Sequence, residues 1–183
     1  MFNYIMLSLI ALLSPLNINW DIKHNTPITI ESFKYYLGDT NEPGLVVYTG
    51  EDLGEMETEL QLTYSSNRLA SALLILGPIG LNEDNCLIKY KNVIKMLNEK
   101  YGHFTYQKET RDPLSDDLVV KEYCNSTKLG LHEVDTVWKK ERFKIEALMI
   151  GDNDGLYIHI TYSDTKLSHK FKKQQREKIL KRL

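Results

Sequence analysis

The chain has 183 residues, 42% of them hydrophobic and 26% charged, with a formal net charge of -2. This composition excludes intrinsic disorder, and the length allows one domain or two small ones that fold without a metal or disulfide staple. The even overall balance hides an asymmetry: residues 166–183 hold eight basic residues against Glu177 alone, a net +7, while the remaining 15 basic and 24 acidic residues leave -9.

At the N-terminus, Ile5 to Leu13 is an unbroken run of apolar residues and one Ser, followed by Ser14-Pro15. Its length matches the apolar core of a signal peptide and is too short to span a bilayer. No Lys or Arg lies between Met1 and Trp20, and no small-x-small cleavage site follows. The expectation is a signal segment over residues 1–18 and a periplasmic or secreted protein. The alternative is a buried first helix in a cytoplasmic one. No Cys follows the apolar run, so a lipid anchor is not expected.

A first helix is predicted over Thr29 to Leu37, with Thr29 as cap, Ile30, Phe33 and Leu37 as its apolar stripe, and Gly38 as its stop. Leu45 to Thr49 reads as a strand. Glu59 to Tyr64 alternates, with Leu60, Leu62 and Tyr64 on one face. Ser65-Ser66-Asn67 is a turn, and Leu69 to Leu76 is a continuous apolar run suited to a central strand. Gly77-Pro78-Ile79-Gly80 is expected to break it.

The second half starts with a helix from Cys86 to Tyr101, capped by Asp84 or Asn85. Ile88, Val93, Ile94 and Leu97 are expected to face the core, flanked by Tyr90 and Met96, and Gly102 ends the helix. Phe104 to Gln107 reads as a short strand and Leu114 to Leu129 as a weak helix. Asp135 to Lys139, Phe143 to Ile150 and Leu156 to Tyr162 read as three antiparallel strands. Their turns are Lys139 to Arg142 and Gly151 to Gly155. A polar helix follows, with Leu167, Phe171, Ile179 and Leu183 on one narrow stripe.

The expected fold is α+β: an antiparallel sheet with helices on one face, in two tandem helix-plus-meander units spanning 19–80 and 81–165. A basic helix closes the chain over 166–183.

The order of Trp20, the helix to Leu37-Gly38, Tyr48, the meander to Leu76, Lys100-Tyr101-Gly102, Thr136-Val137-Trp138-Lys139, Ile158-x-Ile160-x-Tyr162 and the Lys-rich end resembles that of uncharacterised exported bacterial proteins. More distantly it is similar to the fold shared by β-lactamase inhibitor protein and small outer-membrane assembly lipoproteins. The resemblance implies a non-enzymatic binding role in a bacterial envelope and carries no catalytic residue across.

Signals of chemistry are weak. His24, His103, His132, His159 and His169 make no metal-binding spacing, and His132-Glu133 is placed on a loop. Asp152-Asn153-Asp154-Gly155 resembles the start of a calcium loop, but strand follows at once, so a tight turn is the better reading. Asp112, Asp116 and Asp117 flank Pro113 and suit helix capping better than paired-acid chemistry. Asn125-Ser126-Thr127 has the form of a glycosylation sequon, without meaning in a bacterial protein. No nucleotide-binding or nucleophile motif occurs.

No catalytic, cofactor-binding or metal-ligating residue is therefore expected. Cys86 and Cys124 can pair in an oxidising compartment or remain separate buried thiols. Tyr48, Tyr64, Tyr157 and His159 are the candidate binding surface, because aromatic side chains bring large contact area at low entropy cost. The expected partner is another envelope protein, with a small hydrolase or transferase as the alternative function. A cytosolic nucleic-acid or membrane-surface binder acting through the basic tail is the third reading. The tail is expected to fold back on the acidic body, without nucleic-acid binding or stable membrane insertion.

Overall fold

The structure, a computed structural model, describes residues 20, 35–39, 45–49, 56–79, 83–111, 123–151 and 155–180. It is an α+β fold. Among the described residues eight strands form one antiparallel sheet: β1 (Tyr35–Asp39), β2 (Leu45–Thr49), β3 (Thr58–Ser65), β4 (Arg68–Ile79), β5 (Tyr106–Arg111), β6 (His132–Lys139), β7 (Phe143–Gly151) and β8 (Leu156–Asp164). Their order is β1-β2-β3-β4-β8-β7-β6-β5. Two meanders thus meet along β4 and β8, where Ala72 pairs with Tyr162 and Leu74 with Ile160. Three described helices accompany them: α1 (Glu83–Tyr101), α2 (Tyr123–Lys128) and α3 (Thr165–Leu180).

Alternation along the strands creates the core. Leu60, Leu62, Leu74, Leu76, Ile145, Ala147, Met149, Ile158, Ile160 and Tyr162 project from one face and form one buried cluster with Tyr90, Val93 and Leu97 of α1 and Cys124 of α2. Trp20 joins this core, its ring 4.9 Å from that of Phe143. Cys86 of α1 and Cys124 of α2 form a disulfide with Cα atoms 6.2 Å apart, so the two helices are joined covalently above the sheet.

Trp138 ties the end of α1 to β6. It is fully buried, and its indole N–H donates to Gly102 O at 2.9 Å and Asn98 Oδ1 at 3.1 Å. Gly102 ends α1 at φ +75°, a conformation that costs glycine little. At the other end of the sheet α2 lies directly on β7. A Cβ at Gly151 would overlap the backbone of Lys128, so only glycine admits this contact.

Several expectations fail for identifiable reasons. Tyr35 to Leu37, read as the last turn of a helix, belong to β1. Tyr36 pairs with Tyr48 and Gly38 with Val47 across a bulge. Tyrosines suit a strand, and the waiting edge of β2 outweighs a short helical stripe. Ile88 was expected inside but is 54% exposed, whereas Tyr90 is buried at 3%. The Tyr90 hydroxyl explains the helix phase: it meets Thr136 Oγ1 at 2.9 Å, Ala147 O at 3.1 Å and Val134 O at 3.3 Å. Burial pushes this phenol up to about 12, so it stays a protonated donor. β4 does not stop at Gly77-Pro78 but continues to Ile79, which pairs with Leu156.

Thr29 to Lys34, the expected signal segment over residues 1–18, Asp112 to Val120, Asp152 to Asp154 and Leu183 lie outside the described residues. So do the expected helix start, the three clustered aspartates and the calcium-like turn.

Candidate functional site: the open face of the sheet

The face opposite α1 and α2 carries the alternate residues of the same strands, and those of β4, β7 and β8 are half-buried. Directly paired residues in antiparallel strands project to the same side, so the register defines the surface. One row runs Glu59, Ile75, His159, Leu148, Asp135, Lys108 across six strands. The next runs Gln61, Leu73, Thr161, Glu146, Val137, Tyr106. Beside the first row, Tyr157 pairs with Ile150. The centre of the face is therefore an apolar group of Leu73, Ile75, Leu148 and Ile150 with Tyr157, arranged around His159.

An acidic group borders this centre on the β6 side. Asp135, Glu133 and Glu146 line a hollow of about 130 Å³ with Lys108, Thr110 and Leu148. Asp135 Oδ1 is buried without a hydrogen-bond partner. Burial, and then the charge and hydrogen bonding of Glu146, raise the Asp135 carboxyl to about 6 against the opposing pull of Lys144. Lys144 is committed to Glu146, with Nζ and Oε2 2.6 Å apart. The surface thus offers apolar contact beside acceptors that lack a full set of donors.

The expected binding residues divide. Tyr157 and His159 lie on this face. Tyr64 does not: it is 7% exposed and packs in the core, because its β3 neighbours Leu60 and Leu62 share its side of the sheet. Tyr48 pairs with Leu60 in register, and its side chain is outside the described residues. Sequence reasoning missed Leu73, Ile75, Leu148, Ile150, Asp135 and Glu146. Their signal was available: β4 and β7 carry apolar residues at both parities, more than one buried face requires.

A second concavity, about 340 Å³, lies between α1 and the edge strand β5. Leu87, Tyr90 and Ile94 wall one side, Gln107 and Glu109 the other, with Val134 as floor and Tyr123 at one end. The polar side chains of β5 in it are already engaged. Gln107 Nε2 donates to Thr136 Oγ1 at 2.9 Å, and Glu109 Oε1 meets His132 Nε2 at 2.7 Å. His132 was expected on a loop. Instead it opens β6 and is 1% exposed, packed edge-on against Tyr123 at 4.3 Å between ring centroids.

Thr127, His132 and Glu109 follow one another in the order of a nucleophile, base and acid. The Thr127 hydroxyl, however, is buried and donates to Tyr123 O at 3.0 Å, while His132 Nδ1 stands 3.4 Å away. No substrate can reach it, and the chain of contacts pins α2 to β6. Among the described residues no three His, Cys, Asp or Glu side chains group to hold a metal ion, and no helix is long and apolar enough to cross a membrane. Comparison with protein families, curated proteins and solved structures finds no match.

Proposed function

We propose that this is an exported bacterial protein that acts by binding another envelope protein across the open face of its sheet. The observation that carries the proposal is the half-buried apolar group of Leu73, Ile75, Leu148 and Ile150 on the face that α1 and α2 leave uncovered. Contiguous apolar surface rimmed by polar residues is the usual mark of a protein interface. The acidic border specifies the partner's chemistry. An apolar segment followed by Lys or Arg would fill the centre and donate to Asp135 and Glu146. The Cys86–Cys124 disulfide favours an oxidising compartment, as the apolar leader does.

The test is photocrosslinking from position 148, with position 95 on the exposed side of α1 as control, in cells that export the protein. One discrete adduct from position 148, absent from position 95 and lost when Ile75→Glu is added, is the expected result. A folded Ile75→Glu protein that still gives the same adduct would remove the open face from the function.

A further inference from the structure

We infer that α3 is a docking element that holds the protein against an anionic phospholipid surface. Unlike the sheet face, this site is built from charge. At 100° per residue, Lys172, Arg176, His169, Lys173, Lys166 and Lys170 fall within an arc of about 160° of the helix. All six are exposed, while Leu167, Ser168 and Phe171 on the opposite side are half-buried.

α3 lies back against the body through Leu167, Ser168 and Phe171 rather than through its cations. Among the described residues none of the five Lys and Arg side chains in this arc makes an ion pair. The helix is seated by other means. Asp164 Oδ1 accepts the backbone N–H groups of Lys166 and Leu167, each at 3.0 Å. Arg142 Nε meets Asp164 Oδ2 at 2.8 Å, and Ser168 Oγ donates to Ala70 O at 2.9 Å. Hydrogen bonds on one side thus fix the helix and leave its cations facing water.

The composition of the arc identifies the occupant. Protein interfaces are depleted in Lys and enriched in aromatics and Arg, whereas this arc holds four Lys, one Arg and His169 against the exposed Glu177, with no Phe, Tyr or Trp. A nucleic-acid groove interleaves aromatics with its cations, and this arc has no Phe, Tyr or Trp on which a base could stack. Lysine ammoniums on flexible stems match a laterally mobile field of phosphate diesters, which needs no fixed bidentate geometry. The arc has no large apolar side chain except Leu180 near the helix end, so the contact is superficial, reversible and salt-sensitive.

Vesicle sedimentation of the full chain decides the matter, with phosphatidylcholine vesicles alone and with added phosphatidylglycerol, at low and physiological salt. The chain is expected to bind only the anionic vesicles, and less at higher salt. Lys166→Glu/Lys170→Glu/Lys173→Glu is expected to lower that binding on the order of 100-fold. Lys91→Glu/Lys95→Glu/Lys100→Glu on α1 changes net charge equally and is expected to retain most of it. Should the α3 variant fail to fold by circular dichroism, Lys172→Gln/Lys173→Gln/Arg176→Gln is compared with Lys91→Gln/Lys95→Gln/Lys100→Gln, which again changes net charge equally. Equal loss in the α1 and α3 variants, no binding to anionic vesicles, or tighter binding to duplex DNA in a gel shift would each overturn the inference.

Discussion

Replacing both Cys86 and Cys124 by Ala removes the disulfide cross-link between α1 and α2. The bridge closes a separation of 38 residues. In the chain-entropy model a loop of that size removes roughly 4 kcal/mol from the unfolded ensemble. Both positions are completely buried, so Ala is a better probe than Ser, which would leave a hydroxyl seeking a partner. The lost sulfur contacts add a small packing term. A loss of about 4 kcal/mol is a large part of the 5–15 kcal/mol typical of a domain. Urea unfolding followed by tryptophan fluorescence is the assay, on oxidised, reduced and double-Ala protein. The last two should unfold at similar, lower urea concentrations and with a steeper dependence than the oxidised form, because their denatured chain is less compact. Identical midpoints for oxidised and reduced protein, with the thiols shown to be free, would refute this reasoning.

Three further perturbations have definite expected outcomes. Asp135→Asn should stabilise the protein at neutral pH and change nothing near pH 4. The native carboxyl is raised from 3.8 to about 6, so its protonated form is favoured by folding and its stabilising effect is lost as pH rises through about 6. The ceiling is about 3 kcal/mol, but partial exposure reduces the gain to about 1 kcal/mol, measurable by denaturation across pH. Trp138→Ala should cost roughly 3–5 kcal/mol, since it empties a fully buried site and leaves Gly102 O and Asn98 Oδ1 without their donor. Retained stability with lost partner binding would count against that assignment. Asp164→Ala should cost about 1 kcal/mol as a lost helix cap. Burial pushes the Asp164 carboxyl up, but the Leu167 N–H, Arg142 and the Lys166 N–H bring it below its ordinary value. Its contribution is therefore present above the usual carboxylate range and lost as pH falls through the folded value, which acid titration of wild type against variant would detect.

Much of the second half was legible because local and tertiary preferences agree there. Ile158, Ile160 and Tyr162 alternate and are buried, and Gly102 ends its helix where a positive φ is needed. The failures share a cause: a partner distant in sequence decides between two local options. Tyr35 to Leu37 could make a helical turn until β2 supplies an edge. Ile88 and Tyr90 compete for the inner face of α1, and the three acceptors gathered by β6 and β7 select the tyrosine. The apolar stripe of α3 was legible, and Leu167 and Phe171 are half-buried, but the acceptance of the Lys166 N–H by Asp164 and the Ser168 bond to Ala70 O were not. The open face was hidden for the same reason. No short window shows that Leu73 and Leu148 lie two strands apart on one side of the sheet.

The apolar centre of that face is shared between the two meanders. Leu73 and Ile75 come from β4, whereas Leu148, Ile150, Tyr157 and His159 come from β7 and β8. The surface exists only while β4 and β8 are paired from Ser71↔Ser163 to Leu76↔Ile158. Cutting the chain after Gly80 would leave each half with a long apolar strand edge, the type of edge that invites aggregation. β4 alone would expose the ladder groups of its 12-residue span. Residues 19–80 and 81–183 expressed separately should therefore be insoluble, and co-expression should yield a soluble one-to-one complex. Size-exclusion chromatography and far-UV circular dichroism report on both. A soluble monomeric half with native-like strand content would mean that the β4–β8 seam is not what holds the sheet together. The binding face would then have to be sought within a single meander.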